Sequence, residues 1–266
     1  TFGFGLSAAM TALAGNTIGA GQREEARLIA ARGICFGIII SLLLMVAAWF
    51  AGPELIKLVS TEGAYRDAGT QYFLVLILAL PAFVMSFGLN GLLQSQGDTV
   101  SMQRAQIAAF FANIALNPVL VFGIPGIWGG IGFNGIAVST VLSQTGVMIY
   151  VAYRLMQTEL MDGVTGSCFR PEKSTYIDIT KQMLPVTMTM FVMMSAGFIV
   201  QFYLKSFGTA AVAAYGVALR VEQLFLLPVF GLTGALLPIA AQNYGAGKHD
   251  RVRRALFDCW KFGWMF

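Results

Sequence analysis

Charge is what this chain has least of. Only 11% of its 266 residues are Asp, Glu, Lys or Arg, against about a quarter in ordinary soluble domains. So little charge excludes a soluble globular domain. Histidine is nearly missing as well: His249 stands alone, in a charged loop. A membrane-embedded enzyme needs clustered His, Asp or Glu at membrane depth, and without such a cluster no catalytic residue is expected. The three cysteines, Cys35, Cys168 and Cys259, show no CxxC spacing and offer neither a disulfide framework nor a zinc site. No metal and no cofactor is expected. The formal charge of +4 does not point to nucleic acid, because the basic residues fall between apolar runs.

What is present is apolar sequence, at 57% of the chain. Residues 1–22, 33–53, 68–97, 105–153, 182–204 and 223–247 carry no charge at all, and about 20 residues of helix cross a bilayer. Runs such as ICFGIIISLLLMVAAWF are continuous, unlike the alternating strands of a membrane barrel. The expectation is an all-α integral, multi-pass membrane protein. Turn signals divide it into about eight spans: 1–18, 26–51, 70–96, two within 105–153, then 182–204, 209–244 and 250–266. The pair within 105–153 is split by the turn-rich GIPGIWGGIGFNG at 123–135. A polar loop is expected at 52–69 and a hydrophilic connector at 158–181. No basic leader precedes the first apolar run, and KFGWMF stops inside one. The chain therefore reads as a piece of a longer protein.

Orientation follows from the basic residues. Arg23, Arg27, Arg32, Arg104, Arg154, Arg170, Lys173, Lys181, Lys248, Arg251, Arg253 and Arg254 lie towards one side, and only Lys57, Arg66 and Lys205 towards the other. Twelve against three places the first group in the cytoplasm.

The chain also repeats itself. With an offset of 226, FGLSAAMTALAGNTIGAGQREEAR at 4–27 aligns with FGLTGALLPIAAQNYGAGKHDRVR at 230–253, with nine identities in 24 residues and no gap. Gly19 and Gly21 recur as Gly245 and Gly247. Locally these glycines read as a helix stop, since a C′ glycine accepts the left-handed conformation. A phosphate loop would need GxxxxGK[ST] after a strand, which is not the pattern here. The copies lie six spans apart, so they point the same way across the membrane. Parallel repeats of this kind build two-lobed transporters, here of about 226 residues and six spans each. Residues 1–157 would then belong to the N-terminal lobe, 158–181 to the inter-lobe connector and 182–266 to the start of the C-terminal lobe.

The paired Gly-Ala-Gly motifs, ANIALNPVLVFG at 112–123 and YGVALRVEQLFLLPVFGLTGAL at 215–236 resemble the multidrug and toxic compound extrusion transporters. The resemblance covers essentially the whole chain. It implies two six-helix lobes, a monomer in the plasma membrane, and export of cationic or amphipathic small molecules driven by Na⁺ or H⁺. Flippases for lipid-linked polysaccharide or peptidoglycan precursors share the architecture and form the alternative.

Polar side chains at membrane depth are functional candidates. Asn113 and Asn117 lie i,i+4 on one helix face, and Pro118 frees a backbone carbonyl beside them. They form either part of a substrate or cation pathway or two amides that satisfy neighbouring helices. In similar transporters the second position is often an aspartate of a cation site; Asn117 cannot titrate. Arg220 and Glu222 lie inside the eighth helix, as an ion pair or as a proton or cation-substrate site. Some similar transporters carry a glutamate eight residues after the proline of the seventh helix; counted from Pro185, that position is Met193. This departure favours a DinF-like branch, whose key aspartate sits in the first helix. Met183, Met188, Met190, Met193 and Met194 enrich the seventh span, either as packing or as an adaptable ligand surface. Pro81, Pro118, Pro185, Pro228 and Pro238 are expected to kink their helices.

Overall fold

The computed structural model describes residues 1–59, 64–124 and 129–264. Among the described residues nine α-helices run in order: α1 Phe2–Gly19, α2 Arg23–Val59, α3 Ala64–Ile77, α4 Leu80–Gln94, α5 Ser101–Phe122, α6 Asn134–Met156, α7 Lys173–Leu204, α8 Thr209–Gly245 and α9 His249–Gly263. Five of them (α2, α5, α6, α7 and α8) contain stretches long and apolar enough to cross a membrane, and α3 with α4, taken together, is a bent pair of sufficient length and apolarity. The 41° bend falls between Ile77 and Leu80, beside Pro81 in the first turn of α4. Pro118, Pro185, Pro228 and Pro238 lie inside helices, as does Pro53.

The polar stretch 52–69 is mostly helix rather than loop. α2 continues to Val59 and α3 resumes at Ala64, with 60–63 outside the described residues. Polarity there keeps the chain out of lipid without breaking the helix, because Glu, Leu and Lys are good helix formers. α7 likewise begins at Lys173, inside the stretch read as connector. Of the turn-rich segment 123–135, residues 125–128 lie outside the described residues.

α1 sits at the centre, between α4, α7 and α8. Its length is rich in Gly, Ala, Ser and Thr, and Gly3, Gly5, Ser7, Ala9, Thr11 and Ala14 are buried. Small residues let helix backbones approach closely in a membrane. A Cβ at Gly5 would lie 2.8 Å from the carbonyl oxygen of Met183, and one at Gly91 would overlap the Ser7 backbone. The Thr11 hydroxyl sits 2.9 Å from the Ser7 carbonyl oxygen and 3.0 Å from that of Gly91, which fixes α1 against α4. Leu6, Met10, Leu92, Leu93, Val151 and Leu155 fill the spaces between. Phe110, Phe111, Phe191, Phe202 and Phe225 are exposed.

The basic ends gather on one side. Arg23 pairs with Glu159 at 3.0 Å, and Arg154 with Asp98 at 3.5 Å. Arg32 pairs with Glu172 and donates to Thr175, so the connector lies strapped along the start of α2. The Cys35 thiol donates to the Phe169 carbonyl at 3.3 Å.

Both copies of the repeat end their helices identically. Gly21 and Gly247 have φ of 76° and 69°. The N–H groups of Gln22 and Lys248 reach back five residues to the carbonyls of Thr17 and Asn243, at 2.9 and 2.8 Å. This is the Schellman helix stop, written twice.

Candidate functional site

α5 and α6 form a hairpin whose turn folds onto the end of α5. The N–H of Ile131 donates to the Leu120 carbonyl at 2.8 Å and that of Gly132 to Val121 at 3.2 Å. Gly135 then lies flat on α5, where a Cβ would stand 2.7 Å from the Leu120 carbonyl carbon. The hairpin thus places the first turns of α6 against the last turns of α5. Asn117 and Ser139 each sit five residues in from the turn-side helix end, about 8 Å along the helix.

There the polar side chains close into a ring. Asn117 Nδ2 donates to Asn113 Oδ1 at 2.9 Å, and Asn113 Nδ2 donates to Ser139 Oγ at 3.2 Å. The Ser139 hydroxyl in turn meets Asn117 Oδ1, with the Ile136 carbonyl 2.9 Å away as an alternative acceptor. Ser139 is fully buried; the two asparagines are half-buried. Pro118 follows at once and leaves the Ile114 carbonyl without its helical donor. The cluster therefore offers amide, hydroxyl and carbonyl oxygens and no titratable group. Such a set can ligate a hard cation or hydrogen-bond a polar solute, and it cannot release a proton.

A groove of about 460 Å³ lies between α5 and α6. Alanines at 105, 108, 109 and 112 line one wall, and Leu142, Ser143 and Tyr150 the other. The Ser143 hydroxyl is buried without a partner. Arg104, in the first turn of α5, also lines this groove.

The other candidates do not join this cluster. Arg220 and Glu222 are both exposed on α8. The expected ion pair between them does not form, because residues two apart on a helix point to different sides. Met193 and Met194 are exposed on α7 at 48% and 61%. Gly19 and Gly245 lie at the crossing of α1 and α8. Ser139 was missed from sequence, since nothing in the spacing of a single serine ties it to amides 22 and 26 residues earlier. Among the described residues, no three His, Cys, Asp or Glu side chains gather.

Helices built on a parallel repeat, with an uncharged polar cluster held at membrane depth, define a multi-pass membrane protein of transporter architecture. The MatE family model matches residues 1–119 and 185–266, and the chain belongs to that family. Multidrug export protein MepA of Staphylococcus saprophyticus is 23% identical over 232 residues, 87% of this chain and 50% of its own length. The probable multidrug resistance protein YoeA of Bacillus subtilis is 24% identical over 260 residues, 96% of this chain and 56% of its own. The chain thus spans about half the length of the curated relatives it matches. In structure it resembles an outward-facing multidrug resistance MATE family transporter, with a TM-score of 0.84 at 22% identity, over 99% of this chain and 58% of the other.

Proposed function

We propose that the intact protein is a secondary-active antiporter of the plasma membrane. It exports amphipathic or cationic small molecules by alternating access, driven by Na⁺ or H⁺ influx. One observation carries this reading: the Asn113–Asn117–Ser139 ring at membrane depth, in a lobe that packs against a second lobe of the same repeat. The names of MepA and YoeA support the same substrate class. The ring has no proton to give, so coupling at this place falls to a cation ligated by its oxygens. A proton-coupled cycle needs a carboxylate elsewhere, for which Glu222 is the candidate in this chain. The flippase reading finds less support, because a pyrophosphate headgroup wants a strongly basic cavity and Arg220 is the one cation well inside a span.

The test is efflux from vesicles that hold the intact protein and a fluorescent cationic dye. Imposed Na⁺ or H⁺ gradients should each be tried alone, and one of them should accelerate efflux. Dye loss that ignores both gradients sinks the proposal.

A further inference from the structure

We infer that Cys35 and Cys168 form a paired oxidation site, at which a hydroperoxide converts two thiols into a disulfide that staples the connector to α2. Both are free and partly exposed. The oxidation chemistry stands by itself, and only its expected effect on transport rests on the antiporter reading above.

The sequence hides the pair, because the two lie 133 residues apart (168 − 35). The fold brings them to one place. The connector follows the start of α2, held by the ion pairs Arg23–Glu159 and Arg32–Glu172. Between those two points Cys35 Sγ lies 3.3 Å from the Phe169 carbonyl oxygen, and Cys168 is the residue just before Phe169. Consecutive Cα atoms stand about 3.8 Å apart. Sliding the connector by one residue therefore sets Cys168 where Phe169 now meets Cys35.

Little opposes that slide. Gly166–Phe169 is a single 3₁₀ turn flanked by the extended residues Thr165 and Arg170, and such turns have poor hydrogen-bond geometry. A Cβ at Gly166 would meet no atom within 4 Å, so the turn has open space beside it. The present hold on the turn is weak, since a thiol is a poor hydrogen-bond donor. The ion pairs keep the connector on α2 while their long side chains absorb the shift.

The two thiols play different parts. Cys168 faces Thr165 Oγ1 at 3.6 Å, a contact that holds its thiol below the ordinary value and raises its thiolate fraction. With hydrogen peroxide, the Cys168 thiolate attacks one oxygen and breaks the O–O bond. The departing hydroxide takes a proton and becomes water, and Cys168 is left as the sulfenic acid. The Cys35 sulfur then attacks the Cys168 sulfur and displaces hydroxide, which leaves as a second water with the Cys35 proton. Each thiol gives up one electron, and the peroxide takes both. The basic residues predict a cytoplasmic connector, and cytosolic disulfides are usually transient and redox-sensing. Thiol–disulfide exchange with a cytosolic thiol reverses the bond. The connector leads from α6 into α7, so the staple restrains α7 against α2 and efflux should slow.

The test treats vesicles holding the intact protein with hydrogen peroxide, beside Cys35→Ser, Cys168→Ser and Cys259→Ser, each compared with its own untreated baseline. Mass spectrometry of non-reduced digests should find the 35–168 cross-linked peptide in the parent and in Cys259→Ser, and in neither of the others. Dye efflux should fall about fivefold in the parent, as when a conformational step becomes limiting. Dithiothreitol should restore it, and efflux in Cys35→Ser should ignore the peroxide. Serine keeps a donor for the Phe169 carbonyl; should Cys35→Ser still fail to fold, Cys168→Ser supplies the same control. Absence of the cross-link from the folded parent, or Cys168 oxidised to sulfinic acid with Cys35 still reduced, overturns the pairing. A cross-link that leaves a working transporter unaltered overturns the staple's effect on transport. A cross-link formed in a protein that moves no dye supports the oxidation site and sinks the drug-export reading.

Discussion

Ser139 closes the polar ring, because both asparagines reach it and its own proton has two acceptors within range. Replacing it with alanine leaves Asn113 Nδ2 and Asn117 Oδ1 short of a partner in a place that water reaches poorly. An unsatisfied buried polar group costs about 1–3 kcal/mol. Ser139→Ala in the intact protein should therefore lower the thermal midpoint in detergent, and Ser139→Thr should lower it less. Equal midpoints for Ser139→Ala and the parent would mean that the ring contributes nothing to stability. At this scale the sequence was half legible. Asn113 and Asn117 announce themselves by an i,i+4 spacing in an apolar run, since the two share a helix face whatever else packs nearby. Ser139 has no such signature, because its partners lie on another helix and only the fold of the hairpin turn brings it to them. The same limit applies in reverse to Arg220 and Glu222: adjacency in sequence suggested a pair, and helical geometry separates them.

Helix ends carry most of the local specification among the elements. α5 begins where the Asp98 carboxylate accepts from the N–H groups of Val100 and Ser101, at 3.1 and 2.9 Å, with the Ser101 hydroxyl and Arg154 on its other oxygen. Burial pushes this carboxyl upward, but the hydrogen bonds from Ser101, Val100 and Arg154 together outweigh it and hold it below its ordinary value of 3.8. A depressed carboxyl stabilises the folded state at pH above its unfolded value and loses that contribution as pH falls through the lower folded value. Asp98→Ala should cost about 1 kcal/mol, as the loss of a capping side chain does, read as a lower thermal midpoint at pH 7. The deficit should shrink below about pH 3.8, where the parent's carboxyl protonates too; a deficit that is constant with pH would mean that the charge is irrelevant. The spans themselves were legible because apolar length is a strong signal. Their boundaries were less so: a polar stretch outside the bilayer looks like a loop whether or not it stays helical, which is why 52–59 and 173–181 continue as helix.

Across the whole molecule, the placement of the basic residues predicts which side faces the cytoplasm. The basic residues count twelve against three, and the structure brings that same group of helix ends together through Arg23–Glu159, Arg154–Asp98 and Gln242–Ser95. Cys168 sits in the connector on this side and supplies a direct test. Its thiol is held below the usual value, first by the Thr165 hydroxyl at 3.6 Å and then by the Thr165 backbone. A lower thiol pKa means more thiolate at neutral pH, and the thiolate is the reactive form. With Cys35 and Cys259 replaced, a membrane-impermeant maleimide should label Cys168 in inside-out vesicles and leave right-side-out vesicles unmarked. Labelling should also be faster in the folded protein than after unfolding in detergent, because unfolding removes the Thr165 contacts. Reaction from the outer face alone would invert the topology. A correct side with no rate difference would leave the topology standing and refute only the electrostatic role of Thr165.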